Sequence, residues 1–206
     1  MYSEWLTKTA EYATMYHKFP PGASFWLFLL SVDRDLAQST QGKACACGGR
    51  LHRADFPRKP RGGEDLPEDY RYRFSFCCER DGCRKRATPP SVRFLGRKVY
   101  LCAVVVLVSA MRQGPSPRRV RELTQLFGAD RRTIARWQVF WREHVPQTPF
   151  WKMARGRLPT TTTGVLLPQS LLEVFLGGDD PCRCWGQLLR FLSPITTTNG
   201  LPNAFC

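Results

Sequence analysis

Residues 70–86 read YRYRFSFCCERDGCRKR, and upstream of them residues 45–49 read CACGG. In the longer stretch Tyr70, Tyr72, Phe74 and Phe76 alternate with Arg71, Arg73 and Ser75, the period-2 pattern of a strand with one apolar and one basic face. The strand leads directly into Cys78-Glu-Arg-Asp-Gly-Cys83, and the shorter stretch supplies Cys45 and Cys47. A structural zinc takes four soft ligands in a tetrahedron, which two short cysteine turns held side by side by a β-hairpin can provide. Gly48, Gly49 and Gly82 give such turns the small, flexible residues they need. The expectation is a small β zinc ribbon in which Cys45, Cys47, Cys78 and Cys83 hold Zn²⁺. The spacings are C-x-C and C-x4-C, so Cys77 and His52 stand as substitute ligands. Cys78 is preferred as the third ligand because it leaves Cys77 for the opposite face of the strand. The competing reading makes these reduced cysteines buried as small hydrophobes.

Nine cysteines would suit a disulfide framework in a secreted protein. Residues 1–23 show no apolar run behind a basic start, and the apolar stretch from Val99 to Met111 falls short of the ~20 residues needed to span a bilayer. The chain therefore reads as cytoplasmic with no membrane partner, a reducing setting in which paired cysteines are better explained by a metal.

The chain has 206 residues, with Lys+Arg 31 against Asp+Glu 17 and a formal charge of +14. Such a balance points to a polyanion as partner, nucleic acid first, and away from a small-molecule substrate. The charge is clustered: residues 112–157 hold eleven Arg and Lys against three acids, a local balance of +8.

That cluster coincides with the strongest helical pattern. Ser116 can cap a helix with Pro117 at its first position, and RRVRELTQLF then buries Val120, Leu123 and Phe127 before Gly128 ends it. Asp130 can cap a second helix, RRTIARWQVFWREH, whose apolar face is Ile134, Trp137 and Trp141. Helix, short glycine-containing turn and helix form the helix-turn-helix pattern, in which the second helix enters the major groove and its N-terminal residues reach base edges. Arg131, Arg132, Thr133 and Arg136 occupy those positions, and Arg118 and Arg119 on the first helix are placed for phosphates. The expected partner is double-stranded DNA, and the expected location the nucleoid; a homodimer is left open.

Around these two modules, residues 24–38 carry Phe25, Phe28, Leu29, Val32 and Leu36 at helical spacing, with Ser24 as cap. Pro57 to Asp69 reads as a long exposed loop, Val92-Arg93-Phe94 as a short strand, and residues 97–112 as a buried helix with Cys102 in its core. Two short amphipathic segments, 165–176 and 183–193, flank a break at Gly177–Pro181, and the tail from Pro194 reads as loose. The fold class is mainly α with a small β zinc ribbon and a tri-helical helix-turn-helix unit. The expected divisions are residues 1–42, an N-terminal helical segment; 43–95, the ribbon; 96–158, the helix-turn-helix domain; and 159–206, a short helical C-terminal segment.

No catalytic constellation is complete: motifs for a nucleophile elbow, a phosphate loop or a zinc protease are missing, and His17, His52 and His144 are isolated. Glu173, Asp179 and Asp180 are the acids available for two-metal chemistry near the C-terminus and read as loop acids. Cys182-Arg-Cys184 looks like half of a second site, but reduced structural cysteines explain it better.

The succession of CxCGG, FCC…GCRKR, TPPSVRFLGRKVY, an apolar helix and SPRRVRELTQLFGADRRTIARWQVFWRE is similar to the N-terminal zinc-ribbon and helix-turn-helix region of bacterial insertion-sequence transposases. The resemblance covers about residues 43–145. It implies zinc at Cys45, Cys47, Cys78 and Cys83 and DNA reading by Arg131, Arg132, Thr133 and Arg136. It does not extend to the catalytic acidic domain that follows in such transposases. The expected function is a zinc-stabilised, transposase-like DNA-binding protein without catalytic activity of its own. The alternatives are a complete small transposase or metal-dependent nuclease, and a zinc-ribbon protein-interaction module.

Overall fold

In a computed structural model, which describes residues 22–63, 65–95, 100–109 (side chains to 106), 128–159 and 167–197, residues 70–76 do not form one strand. Glu68–Arg71 is a 3₁₀ turn, and β3 (Tyr72–Arg73) pairs antiparallel with β2 (Phe56–Pro57). Phe74 and Ser75 then carry the chain into β4 (Phe76–Cys78), which lies between β1 (Leu51–Arg53) and β5 (Arg86–Ala87) in a second antiparallel sheet. The change of sheet breaks the expected alternation. Tyr72, opposite Pro57, is 47% exposed, whereas Arg73 is buried and its Nη2 donates to the carbonyl of Pro89. Burial pulls the Arg73 pKa down to about 10. The expected exposed basic face is therefore corrected at Arg73.

The register of the three-stranded sheet sets its two faces. Leu51 lies opposite Cys78 and Arg53 opposite Phe76, while His52 lies opposite Cys77, which in turn faces Arg86 on β5. Directly opposed residues share a face, so Leu51, Phe76 and Cys78 point inward and His52, Cys77 and Arg86 outward. Burial agrees at these six, since the first three are buried and the last three exposed or half-exposed; Arg53, opposite Phe76 at the end of β1, departs from it and is exposed.

Helix α1 (Ala23–Gln41) buries Phe25, Trp26, Leu29, Leu30 and Val32, with Phe28 at its solvent margin and Leu36 half-buried. It starts after Gly22 without a side-chain cap, so Ser24 lies inside the helix rather than capping it. The same face buries Asp33, whose carboxylate accepts from Ser91 Oγ (2.6 Å), from the Val92 N–H (2.6 Å) and from Arg93 Nε (2.7 Å). Both side chains of the Asp33–Arg93 pair are 0% exposed. Arg93 also donates to the carbonyls of Asp69 (2.9 Å) and Tyr72 (3.3 Å), and its guanidinium carbon sits 4.6 Å from the Phe74 ring centre, 5.0 Å from Tyr70 and 5.2 Å from Phe94. This charged plug joins α1 to the ribbon, and the Tyr70 hydroxyl adds a bond to the carbonyl of Trp26 (2.8 Å).

The segment expected as an exposed loop, Pro57 to Asp69, is exposed or half-exposed at each described residue, and its middle touches the start of helix α2 (Cys102–Ser109). Arg61 bridges Tyr100, and a Cβ on Gly62, at φ +93°, would lie 3.1 Å from Val104 Cγ2. Residues 102–106 are buried, Cys102 included. Helix α3 (Arg131–Val139) continues through a π-type turn, Phe140–His144, and a 3₁₀ turn, Val145–Gln147, into α4 (Pro149–Ala154). Helices α5 (Gln169–Phe175) and α6 (Pro181–Leu192) follow, and α6 packs on α1, α2 and α5. The tail is anchored at least as far as Thr196, whose Oγ1 accepts from the Ser91 N–H at 2.9 Å while Ile195 is buried.

The described chain is thus mainly helical with a small antiparallel sheet, and its apolar residues form one continuous core from α1 through the ribbon to α6. Among the described residues no helix is long and apolar enough to cross a membrane. The expected first helix of the helix-turn-helix, with Arg118 and Arg119, lies outside the described residues.

Candidate metal centre and nucleic-acid interface

Two cysteine turns face each other at one end of the ribbon. In the first, the Cys45 N–H donates to the Gly49 carbonyl (2.9 Å) and the Gly48 N–H to the Cys45 carbonyl (2.7 Å). Gly48 is left-handed at φ +79°, and a Cβ on Gly49 would stand 2.7 Å from Cys78 Sγ. In the second, the N–H groups of Cys83 (2.9 Å) and Arg84 (3.0 Å) donate to the Arg80 carbonyl. Here the left-handed residue is Arg84, at φ +44°, and a Cβ on Gly82 would meet nothing within 4 Å. The expected need for glycine at position 82 is not borne out by this geometry. The turns are tied together by the Glu79 N–H on the Arg50 carbonyl (3.0 Å) and by Arg80 Nη1 on the Cys47 carbonyl.

This arrangement brings the sulfurs of Cys45, Cys47, Cys78 and Cys83 within 4.8 Å of one another. The nearest pairs are Cys47–Cys78 at 3.5 Å and Cys45–Cys83 at 3.7 Å. Both far exceed the ~2.05 Å of a disulfide. A tetrahedron of sulfurs ~2.3 Å from a central ion has an edge of ~3.8 Å, so the cluster has the size of a four-thiolate metal site. The backbone N–H of Gly49 and the neighbouring thiols of Cys78 and Cys83 pull the Cys47 pKa down to about 7. At Cys78 the Arg80 N–H pulls the same way, but burial and the other three thiols outweigh it and push the pKa up to about 12. Cys83 is raised too: the Lys85 N–H lowers it, and Cys47, burial and Cys45 prevail. The neighbours thus stabilise one negative charge and resist the next. A bound divalent cation reverses that balance.

Neither substitute ligand joins the cluster. Cys77 Sγ lies on the outer face and donates to the Arg84 carbonyl at 3.4 Å, as expected for the residue beside a ligand on a strand. His52, on the same outer face, has its Nε2 3.1 Å from Glu79 Oε2, and Glu79 Oε1 accepts from the Arg50 N–H (2.9 Å). Glu79 is a clasp between the turns that sequence reasoning missed; its position directly after Cys78 was the available signal. Among the described residues the four cysteines are the group that could hold a metal ion, and Cys182 and Cys184 are not part of it. Glu173 accepts from Gln169 Nε2 (2.6 Å), and Asp180 caps α6 by accepting from the Arg183 N–H (3.1 Å), so these two acids serve their own helices, while Asp179 is exposed.

Helix α3 presents the second candidate surface. Asp130 caps it, its Oδ1 accepting from the Thr133 N–H at 2.7 Å, and that bond holds the Asp130 carboxyl below its ordinary pKa. Ile134, Trp137 and Trp141 are buried, and Trp137 meets Tyr100 edge-on at 4.9 Å. The Tyr100 hydroxyl donates to the carbonyl of Gly128 (2.7 Å), which is left-handed at φ +65° where the sequence predicts a helix end. The opposite face exposes Arg131, Arg132 and Arg136, and none has an ion-pair partner among the described residues. Thr133 is half-buried, and its hydroxyl oxygen accepts from Arg136 Nη2 at 3.2 Å.

No family model matches the chain, and no curated protein or solved structure is significantly similar to it.

Proposed function

We propose that this chain is a zinc-stabilised, transposase-like DNA-binding protein that contacts duplex DNA through α3 and has no catalytic activity of its own. The observation that carries the reading is the division of α3: a capped helix with an aromatic underside fixed to the core, and on its outer side three arginines without an ion-pair partner among the described residues. Arginine pairs bidentately with guanine and grips phosphate, so Arg131, Arg132 and Arg136 are the contacting residues, with Thr133 beside them. Arg118 and Arg119 contact phosphates from the preceding helix. Zinc is the favoured ion because a closed set of four thiolates in a tetrahedron is its structural coordination. Such a centre leaves no open position for substrate, and its role is to hold the ribbon. The protein acts at the nucleoid, alone or as a homodimer.

A gel shift of the zinc-loaded protein against random duplexes at low salt tests the reading. Retarded duplex is expected, with affinity falling on replacement of Arg131, Arg132 and Arg136 by Ala. Absence of binding at low salt, where phosphate contacts are strongest, overturns it. Retained affinity in the triple variant moves the interface away from α3.

A further inference from the structure

Ion pairing within the fold does not account for the cations around the second cysteine turn. Arg80, Lys85 and Arg86 are exposed, and among the described residues none pairs with a carboxylate. The neighbouring acids are already engaged: Glu79 with His52 and the Arg50 N–H, Asp55 with Arg53 and the Ser75 N–H, and Asp81 with Arg84. The field left over is positive.

Two of these guanidinium groups are also held in place. Arg86 Nη1 donates to the Ala54 carbonyl (2.8 Å) and to Ser75 Oγ (3.2 Å), and its Cζ lies 5.7 Å from the centre of the Phe56 ring. Arg80 is fixed by its bond to the Cys47 carbonyl. Each guanidinium carries five N–H donors, so these bonds leave donors on both groups for a ligand. Exposed cations that serve only to solvate a surface gain nothing from being fixed, whereas fixed forks lose little entropy on gripping an anion.

We propose that Arg80, Lys85 and Arg86 form a second contact to the phosphate backbone of duplex DNA, separate from α3 and positioned by the metal centre. The partner is the one proposed above, so the inference rests on that reading, but it uses different residues and fails separately. The cysteine turn thereby acts in binding as well as in folding.

The test is fluorescence anisotropy of the zinc-loaded full chain with a labelled random-sequence duplex at several KCl concentrations. Replacing all three cations by Ala should lower the slope of log affinity against log salt by up to ~2.7, at ~0.9 for each phosphate no longer neutralised. A charge-keeping variant, Arg80→Lys with Arg86→Lys, should retain most of that slope, and Lys85→Glu alone should lower it without touching either pinned arginine. Zinc content is measured on every variant. An unchanged slope in Lys85→Glu and in the triple Ala variant overturns the proposal and leaves the α3 reading standing. A fall in zinc content with no change in DNA affinity also overturns it, because the cations would then serve to balance the thiolate charge. Equal competition by polyglutamate of matched charge overturns the assignment to nucleic acid. Binding that survives Ala at Arg131, Arg132 and Arg136 but not at these three refutes the α3 reading alone.

Discussion

Replacing Asp33 with Asn removes a buried charge while keeping the shape of the side chain. Oδ1 accepts from the Val92 N–H, and Oδ2 accepts from both Ser91 Oγ and Arg93 Nε. An amide has one oxygen, so its NH₂ must face a donor on one side or the other, and Arg93 is left as a cation with no solvent access. Breaking a buried pair from one side costs ~3–5 kcal/mol. The aromatic rings of Tyr70, Phe74 and Phe94 around the guanidinium offset part of this, since a desolvated cation–π contact is worth about 2 kcal/mol. Those contacts exist already in the unaltered protein, however, and the net loss should be ~3 kcal/mol. For a chain of this length that lowers Tm by roughly 6–12 °C. Urea unfolding followed by far-UV circular dichroism and calorimetry measures both quantities. Replacing both partners, Asp33→Leu with Arg93→Met, should recover only part of the loss: the unmatched Arg93 charge is gone, but the Ser91 hydroxyl, the Val92 N–H and the carbonyls of Asp69 and Tyr72 lose their partner, and the buried Arg73 loses a nearby carboxylate. A loss below ~1 kcal/mol for Asp33→Asn, in the range of ordinary surface changes, would refute the reasoning that this pair is buried and mutually dependent.

Two further outcomes concern the candidate metal centre. Gly49→Ala should weaken metal affinity at least tenfold, because its new Cβ meets Cys78 Sγ at 2.7 Å, whereas Gly82→Ala should leave affinity unchanged, since nothing lies within 4 Å there; competition with a chromogenic chelator compares them. Metal uptake at pH 7 should release at least two protons, because Cys78 and Cys83 are both raised above the ordinary thiol value and must ionise to bind. Affinity should accordingly rise with pH through the neutral range. Calorimetry in buffers of different ionisation enthalpy counts the protons, and a pH-independent affinity would rule out thiolate ligation.

The four-cysteine cluster was legible in the sequence because its sulfurs come from two turns whose constraints are local. Each pair of cysteines is close along the chain, Gly48 and Gly49 mark where the first turn must bend, and strand periodicity separates Cys78 from Cys77. The amphipathic face of α3 and its Asp130 cap were legible for the same reason, since capping and helical spacing act over one or two turns. The Arg84 turn was hidden behind Gly82 because backbone handedness depends on how the whole turn closes, not on the presence of a permissive residue.

Sequence by itself determined helices α1, α3 and α6, the clustering of the four cysteine sulfurs and the concentration of positive charge, all consequences of residue type and short-range spacing. Only the tertiary structure decided which charges are inside. Asp33 and Arg93 are far apart in the chain, and each alone reads as a solvated polar residue; they are buried because each neutralises the other and because Tyr70, Phe74 and Phe94 close around the guanidinium. Likewise, nothing along residues 70–76 announces that the chain changes sheets at Phe74–Ser75, turning Tyr72 out and Arg73 in. Periodicity fixes which residues share a face within one element, but which face meets the core is settled by partners brought together from elsewhere in the chain.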